Sequence, residues 1–225
     1  ADIFDDLGQI ERQFHHLLRT VPRSGRVVVN DLDENLARVL AQGLWSERCG
    51  FGSASSDFSA AGEASGFEVL QRGRPVGRVQ WGLSGTHNQL NALAAIAAAE
   101  HVGVEPDVAC AALGRFRNVR RRMEVRGQVA RGDGAPITVY DDFAHHPTEI
   151  RTTVDGLRRQ LDAEGRQDER ILAVFEPRSN TMKLGTMKAQ LPWALKEADL
   201  AFCHTAGLDW DAAQALEPLG AAGLT

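Results

Sequence analysis

The stretch PITVYDDFAHHPTEI, residues 136–150, sets a dense polar cluster between an apolar run and a proline. Residues 136–140 predict a strand, and Pro147 suits the first turn of a helix that runs to about Glu164. A second apolar run, Ile171–Phe175, predicts the next strand. Strands and helices that alternate at this spacing predict a parallel α/β sheet.

The same alternation continues toward the carboxyl end. We expect a helix over Leu184–Glu197 and a strand over Leu200–Cys203. Ligands of such sheets bind at the carboxyl ends of the strands. Three polar clusters occupy these positions: Asp141–His146, Glu176–Lys183 and His204–Asp211.

The first half of the chain is more mixed. Apolar residues at a spacing of three and four predict an amphipathic helix over residues 3–18. The remaining predicted elements are strands at Arg26–Asn30, Phe67–Gln71 and Pro75–Trp81, a helix within residues 31–42, and short edge strands within residues 49–66. Thr86 and Gln89 have the spacing of a capping box, which predicts a helix from His87. Leu and Ala occupy almost every face of this helix, which predicts that it is buried. Pro106 suits the start of another helix, to about Leu113.

The most basic stretch, RFRNVRRRMEVR at residues 115–126, marks a change of character. It leads into two strand-like runs, Met123–Ala130 and Pro136–Tyr140. We therefore predict a domain boundary here, with domains over residues 1–119 and 120–225.

Composition excludes several classes of partner. The formal net charge is −5, which argues against a nucleic-acid partner. No run of about 18 apolar residues is present, so we expect no membrane span. The three cysteines are widely spaced and form no CxxC motif, which favours reduced thiols in a cytoplasm-like compartment.

GTHNQLN, residues 85–91, is the first candidate site. Asn88 and Asn91 are three residues apart and share one face of a helical turn. A carboxamide can donate to and accept from the edge of adenine, and His87 could lie against a ring. The alternative is a polar helix start, because Thr and Asn also cap helices.

Two further clusters carry cations. In RRRME, residues 120–124, one or two arginines could reach a phosphate, or the segment could be a solvated hinge. EPRSNTMK, residues 176–183, offers mixed donors suited to carboxylates or phosphates. These donors are Arg178, Ser179, Asn180 and Lys183. The alternative is a loop in which Ser179 or Asn180 caps a helix.

DDFAHHPTE, residues 141–149, resembles a metal site at first sight. Its two aspartates are adjacent, as are its two histidines, so each pair diverges and we predict no metal. An aspartate after a strand can accept from both ribose hydroxyls, although turn chemistry around Pro147 explains part of the cluster. No GxxxxGK[ST] phosphate loop and no GxSxG motif occur in the sequence.

Taken in order, GTHNQLNALAA (85–95), RRME (121–124), DDFAHHPTEI (141–150) and FEPRSNTMKLG (175–185) resemble the Mur ligases over essentially the whole chain. These ATP-dependent enzymes join amino acids or peptides to UDP-N-acetylmuramate. FEPRSNTMKLG is most similar to the branch that attaches L-alanyl-γ-D-glutamyl-meso-diaminopimelate during peptidoglycan recycling.

The resemblance implies an α/β fragment of a three-domain enzyme. Residues 1–119 would be the carboxyl-terminal part of a mononucleotide-binding central domain, and residues 120–225 a truncated Rossmann-like domain with a parallel sheet. The UDP-binding domain, the phosphate loop and most ligands of Mg²⁺ would lie upstream, so we expect the fragment alone to be inactive. The expected location is the bacterial cytoplasm.

The resemblance also implies a role for each matching residue. Asn88 and Asn91 would hold the adenine of ATP with His87 beside it, Arg122 would reach the phosphates, and Asp142 would bind the ribose. His145 and His146 would lie near the acyl phosphate and the incoming amine. The peptide would contact Arg178, Ser179, Asn180 and Lys183. The alternatives are a Mur ligase for L-alanine or another amino acid, a non-catalytic nucleotide-binding module, and a metallohydrolase that uses the Asp/His cluster.

Overall fold

The computed structural model describes residue 4, residues 6–132 and residues 134–224. It divides into two compact units, one that ends at Phe116 and one that begins at Arg117. Each unit has its own hydrophobic core. No helix among the described residues is long and apolar enough to cross a membrane.

The first unit contains a five-stranded sheet and four helices. Its strands are β1 (Arg26–Asn30), β2 (Glu47–Phe51), β3 (Phe58–Glu63), β4 (Gly66–Gln71) and β5 (Arg74–Gln80), in that spatial order. β1, β2 and β3 are parallel, whereas β3, β4 and β5 are antiparallel. Its helices are α1 (Leu7–Leu18), α2 (Glu34–Ala41), α3 (Thr86–His101) and α4 (Pro106–Leu113).

Short polar side chains set where two of these helices begin. Asp6 accepts from the backbone N–H of Gln9 at 2.7 Å, so α1 begins at Leu7, and the predicted start at residue 3 lies outside the described residues. Asp33 accepts from the N–H of Asn35 at 2.8 Å and caps α2 in the same way. Each carboxylate satisfies a donor that has no partner within its helix.

α3 packs against the sheet and forms the centre of the first core. Leu93 and Ile96 of this helix are at most 1% exposed, as are Phe58, Phe67 and Val79 of the strands. The predicted helix is confirmed. It is buried on one side only, since Ala95 and Ala98 are exposed, and the predicted capping box is wrong. α3 begins after Gly85 (φ 85°) without a side-chain cap. The amide of Gln89 instead donates to the carbonyl of Gly62 at 3.1 Å, so a tertiary contact replaces the local one.

The second unit contains a β-hairpin and a separate parallel sheet. The hairpin is formed by β6 (Glu124–Arg131) and β7 (Gly134–Asp141). The parallel sheet has the order β10 (Gly223–Leu224), β9 (Leu200–Cys203) and β8 (Leu172–Phe175). The helices are α5 (Pro147–Ala163), α6 (Asn180–Lys183), α7 (Leu191–Ala194) and α8 (Ala212–Leu216), with 3₁₀ turns at Lys188–Gln190 and Glu217–Ala222.

Two predictions for this unit are wrong in detail. Among the described residues β7 pairs only with β6, antiparallel, and not with the parallel sheet. β6 is close to β7 in sequence, and it forms the backbone hydrogen bonds of β7 as its hairpin partner. The helix predicted over Leu184–Glu197 is broken into shorter pieces, because Gly185 adopts a left-handed conformation (φ 71°) that ends α6. The α/β class and the parallel arrangement of β8 and β9 are confirmed.

α5 and α7 bury the apolar side of the second unit. Ile150 and Val154 of α5 are less than 9% exposed, and Leu191 and Ala194 of α7 are fully buried. Met182 of α6 and Leu216 of α8 complete this core. The core therefore fixes the segments that follow β8 and β9, where two of the predicted polar clusters lie.

Candidate functional site

The polar residues predicted at the start of α3 lie in the first unit. Asn88 is half-buried, and its side-chain N–H donates to the carbonyl of Ser84 at 2.7 Å. Asn91 is exposed one helical turn later, and His87 is half-buried. Asn88 therefore also fixes the loop before the helix, as the polar-helix-start alternative supposes.

A polar network that was not predicted from the sequence lies at the carboxyl ends of β1 and β2. Asp31 accepts from the hydroxyl of Ser56 at 2.6 Å and pairs with Arg48. Asp57 accepts from the N–H of Gly50 at 2.9 Å and from the Nε of Arg72 at 3.2 Å. The N–H of Gly50, helped by Arg72, holds the pKa of Asp57 below its usual value. Because these groups satisfy one another, we interpret the network as structural. The signal in the sequence was an aspartate directly after a predicted strand.

The segment around Arg122 begins the site in the second unit, and its backbone is strained. Arg121 (φ 60°) and Met123 (φ 50°) both adopt left-handed conformations without being glycine. Each such residue costs about 1–3 kcal/mol and persists only where its surroundings enforce it. The two strained residues bracket Arg122, whose side chain is exposed.

Hydrogen bonds from three directions hold this turn. The carbonyl of Arg121 accepts from the N–H of Phe143 at 2.8 Å. The carbonyl of Arg122 accepts from the side chain of Asn118 at 2.8 Å. The N–H of Met123 donates to Asp142 Oδ2 at 2.9 Å. The turn is therefore fixed to the DDFAHHPTE segment, which is 19 residues away from it in sequence.

The structure separates the roles of two neighbouring arginines. The guanidinium of Arg121 lies 5.0 Å from the centre of the Phe143 ring and 3.5 Å from the carboxylate of Asp141. These contacts keep Arg121 against its own unit. Arg122 is exposed on the turn that these hydrogen bonds hold, and this exposure makes it the better placed of the two for an external anion.

Asp142 is half-buried, and both of its carboxylate oxygens have partners within the protein. Oδ2 accepts from Met123, while Oδ1 accepts from the N–H of Ala144 at 2.8 Å and faces the hydroxyl of Thr153 at 3.4 Å. A carboxylate has about four acceptor positions, so capacity for a ligand hydroxyl remains. Asp142 thus joins the Arg122 turn to the start of α5, and its predicted ribose contact stays a prediction.

The two histidines diverge, as predicted. His146 is the N-cap of α5, and its Nδ1 accepts from the N–H of Thr148 at 3.2 Å. His145 is half exposed, with its Nδ1 3.1 Å from Glu149 and 3.2 Å from the carbonyl of Phe143. Within residues 6–132 and 134–224, no three His, Cys, Asp or Glu side chains cluster closely enough to hold a metal ion.

The segment after β8 presents the third group of predicted residues. Pro177 is fully buried, and the hydroxyl of Ser179 accepts from the N–H of Met182 at 3.3 Å, which caps α6. Arg178 is 78% exposed on its side chain, with Glu176 3.5 Å away. Asn180 and Lys183 are also exposed. The capped-loop alternative is therefore correct for Ser179, while the other three side chains face solvent.

A cavity of about 690 Å³ lies between β7, α5 and β8 in the second unit. Met123, Asp142 and Thr153 contribute to its wall, together with apolar side chains of both strands. Asp142 therefore borders open volume as well as the Arg122 turn.

Comparison with known proteins agrees with the motifs. Residues 121–223 match the family model described as Mur ligase, glutamate ligase domain. The chain is 48% identical to the UDP-N-acetylmuramate–L-alanyl-γ-D-glutamyl-meso-2,6-diaminoheptandioate ligase of Escherichia coli, over 96% of this chain and 46% of that protein. It is 32% identical to the UDP-N-acetylmuramate–L-alanine ligase of Dictyoglomus turgidum, over 80% of this chain and 38% of that protein.

A solved structure extends the likeness to three dimensions. The crystal structure of a murein peptide ligase from Psychrobacter arcticus superimposes with a TM-score of 0.64 at 39% identity. The match covers 95% of this chain and 44% of that one. The chain thus spans about half the length of the curated relatives it matches.

Proposed function

Because this chain belongs to the Mur ligase family, we propose that it forms about half of an ATP-dependent ligase that joins a murein tripeptide to UDP-N-acetylmuramate. The observation that carries this proposal is the higher identity to the tripeptide ligase than to the L-alanine ligase. The FEPRSNTMKLG segment supports the same choice, because its sequence is most similar to the tripeptide-adding branch. Its side chains Arg178, Asn180 and Lys183 are exposed.

The proposed reaction has two steps. A carboxylate oxygen of UDP-N-acetylmuramate attacks the γ-phosphorus of ATP, and the bond to the β-phosphate oxygen breaks to release ADP. The free amine of the tripeptide then attacks the acyl phosphate. An amide forms, phosphate leaves, and the amine loses a proton. Transfer of this kind depends on positioning and on neutralising charge.

Arg122 is the proposed phosphate ligand. Its guanidinium can bind phosphate oxygens in pairs, and its fixed backbone limits the entropy lost on binding. Asp142 would accept from the ribose, and His145 and His146 would lie near the acyl phosphate. In the first unit, Asn88 and Asn91 would hold the adenine, with His87 beside it.

The peptide carries several carboxylates, and the segment after β8 has the complementary charge. Arg178 and Lys183 are exposed cations, and Asn180 adds an exposed amide. We assign these three residues and Ser179 to the peptide substrate. The reaction would use Mg²⁺ with ATP, but no described residue is assigned to the metal. Free cysteines fit a reducing compartment, and a cytoplasmic location is part of the proposal.

Turnover by the full-length protein tests this function. We expect ADP release that requires both UDP-N-acetylmuramate and L-alanyl-γ-D-glutamyl-meso-diaminopimelate, with a much higher kcat/KM for the tripeptide than for L-alanine. A preference for free L-alanine would support the L-alanine ligase instead. ADP release that does not depend on UDP-N-acetylmuramate would contradict membership of either class.

A further inference from the structure

α6 is too short to be stable by itself. It consists of four residues, Asn180–Lys183, and Gly185 ends it in a left-handed conformation. Forming a single helical turn fixes several backbone dihedral angles, and the turn is too short to add the further hydrogen bonds that would offset this loss of entropy. Ser179 caps its start, and the N–H of Gly185 donates to the carbonyl of Met182 at 3.1 Å, so only a few local bonds hold this turn.

Additional donors to its last carbonyl groups come from the His204–Asp211 loop. The indole Nε1 of Trp210 donates to the carbonyl of Met182 at 2.9 Å. The N–H of Asp209 points to the carbonyl of Lys183 at 3.4 Å. Two neighbouring residues after β9 therefore cap the carboxyl end of the short helix that follows β8.

Packing around Gly185 fixes the same contact. A Cβ atom at Gly185 would lie 2.6 Å from Cδ1 of the Trp210 ring, so the ring occupies the space that a side chain would need. Gly185 is buried beneath it. The left-handed backbone and the close approach of the indole both require glycine here.

Trp210 is itself well anchored. Its ring packs against the second core, and the next residue, Asp211, caps α8 by accepting from the N–H of Gln214 at 3.1 Å. Ala212 and Leu216 of α8 are buried. The indole is thus attached to the core on one side and to α6 on the other.

We propose that Trp210 is a positioning residue for peptide recognition. By holding α6, it fixes the directions of Arg178, Asn180 and Lys183 toward the carboxylates of the peptide. This inference rests on the proposed function. It assigns the His204–Asp211 loop an indirect role, through the turn that it clamps.

The test is steady-state kinetics of the full-length enzyme with Trp210→Phe, which keeps an aromatic ring and removes the N–H. We expect the KM for the tripeptide to rise about fivefold to tenfold, as for the loss of one hydrogen bond. The KM values for ATP and UDP-N-acetylmuramate should stay unchanged. Trp193→Phe is the matched control, since Trp193 is half exposed in the same unit and contacts Arg151 instead.

Gly185→Ala changes the other residue of the same contact and should also raise the KM for the tripeptide. If both changes act through one clamp, the KM for the tripeptide in the double variant should not exceed the higher of the two single-variant values. An unchanged KM for the tripeptide in Trp210→Phe would overturn the inference. So would an equal rise in the KM for ATP, or effects that multiply in the double variant. A wild-type enzyme without tripeptide-dependent ADP release would refute the proposed function itself.

Discussion

The carboxylate of Asp142 accepts from the backbone of Met123 and of Ala144, and it borders a cavity. The same group is proposed to bind ribose. Its two roles are compatible, since the donors within the protein use three of the roughly four acceptor positions of the carboxylate and leave one on Oδ2. Because Asp142 has both roles, a change in ATP binding in a variant of this residue has two explanations. A second nucleotide is needed to separate them.

We therefore predict that Asp142→Ala in the full-length enzyme raises the KM for ATP by about 10-fold to 100-fold, as expected for lost bonds to a charged group. The comparison that isolates the ribose contact is ATP against 2′-deoxy-ATP. The wild type should prefer ATP, and Asp142→Ala should lose that preference. Equal losses for both nucleotides would mean that Asp142 acts only through the Arg122 turn. Asp141→Ala is the control, with a smaller expected effect.

Among the larger elements, β5 and α4 pack closely against each other at Gly77. A Cβ at Gly77 of β5 would lie 2.8 Å from Sγ and 3.1 Å from Cβ of Cys110 in α4, and 3.3 Å from the Cα of Asp107. Cys110 is 1% exposed. The strand and the helix can approach this closely only because residue 77 has no side chain.

Gly77→Ala should consequently lower the free energy of unfolding by about 1–3 kcal/mol, the range for overpacking a core. Urea denaturation measures this, and Gly82→Ala is the control because nothing lies within 4 Å of its added methyl. Adding Cys110→Ala to Gly77→Ala should restore part of the lost stability. Equal effects at Gly77 and Gly82 would show that the close approach is unimportant.

The junction of β2 and β3 depends on side chains. The two strands share a single backbone register pair, Phe51 with Phe58, and Asp57 adds its bonds to Gly50 and Arg72. The N–H of Gly50 and then Arg72 keep the pKa of Asp57 below its usual value of 3.8. Asp57 therefore binds its proton more weakly in the folded chain than in the unfolded chain.

The sign of the pH dependence follows. A lowered pKa contributes stability that is present above the unfolded value near 3.8 and is lost as the pH falls through the folded pKa. We predict that the unfolding free energy of wild type minus that of Asp57→Asn shrinks as the pH drops below about 4. Urea titrations between about pH 2 and 6, a range that includes the pH values at which Asp titrates, would measure it. A difference that is constant with pH would contradict this assignment.

For the molecule as a whole, the assigned residues are divided between two units with separate cores. The residues proposed for adenine lie in the first unit, and those proposed for phosphate, ribose and peptide lie in the second. Neither unit by itself carries the full set. The 225-residue sequence also has no GxxxxGK[ST] phosphate loop.

We predict that the 225-residue chain alone releases no ADP from ATP in the presence of UDP-N-acetylmuramate and tripeptide. The reason is that P-loop backbone groups are needed to hold the transferred phosphate. The full-length protein, assayed in parallel, is the positive control. Tripeptide-dependent ADP release by the chain alone would show that its own residues suffice for catalysis.

Where the structure agrees with the elements predicted from the sequence, the prediction rests on short-range signals. The periodicity of α5, its start at Pro147 and the apolar runs of β8 and β9 are properties of neighbouring residues, so the sequence predicts them well. The four motifs were sufficient to identify the Mur ligase family. They also singled out Arg122 and Asp142, although the bond that joins Asp142 to Met123, the residue after Arg122, was not predicted.

Long-range contacts decided the rest. The pairing of β7 with β6, the break at Gly185 under Trp210 and the bond from Met123 to Asp142 each join groups whose partners no local pattern specifies. The sequence by itself determined the family, the α/β class and most elements, because propensity and periodicity act within a few residues. Only the tertiary structure decided which turns are held rigid and by which residues, because those bonds form when distant segments pack together.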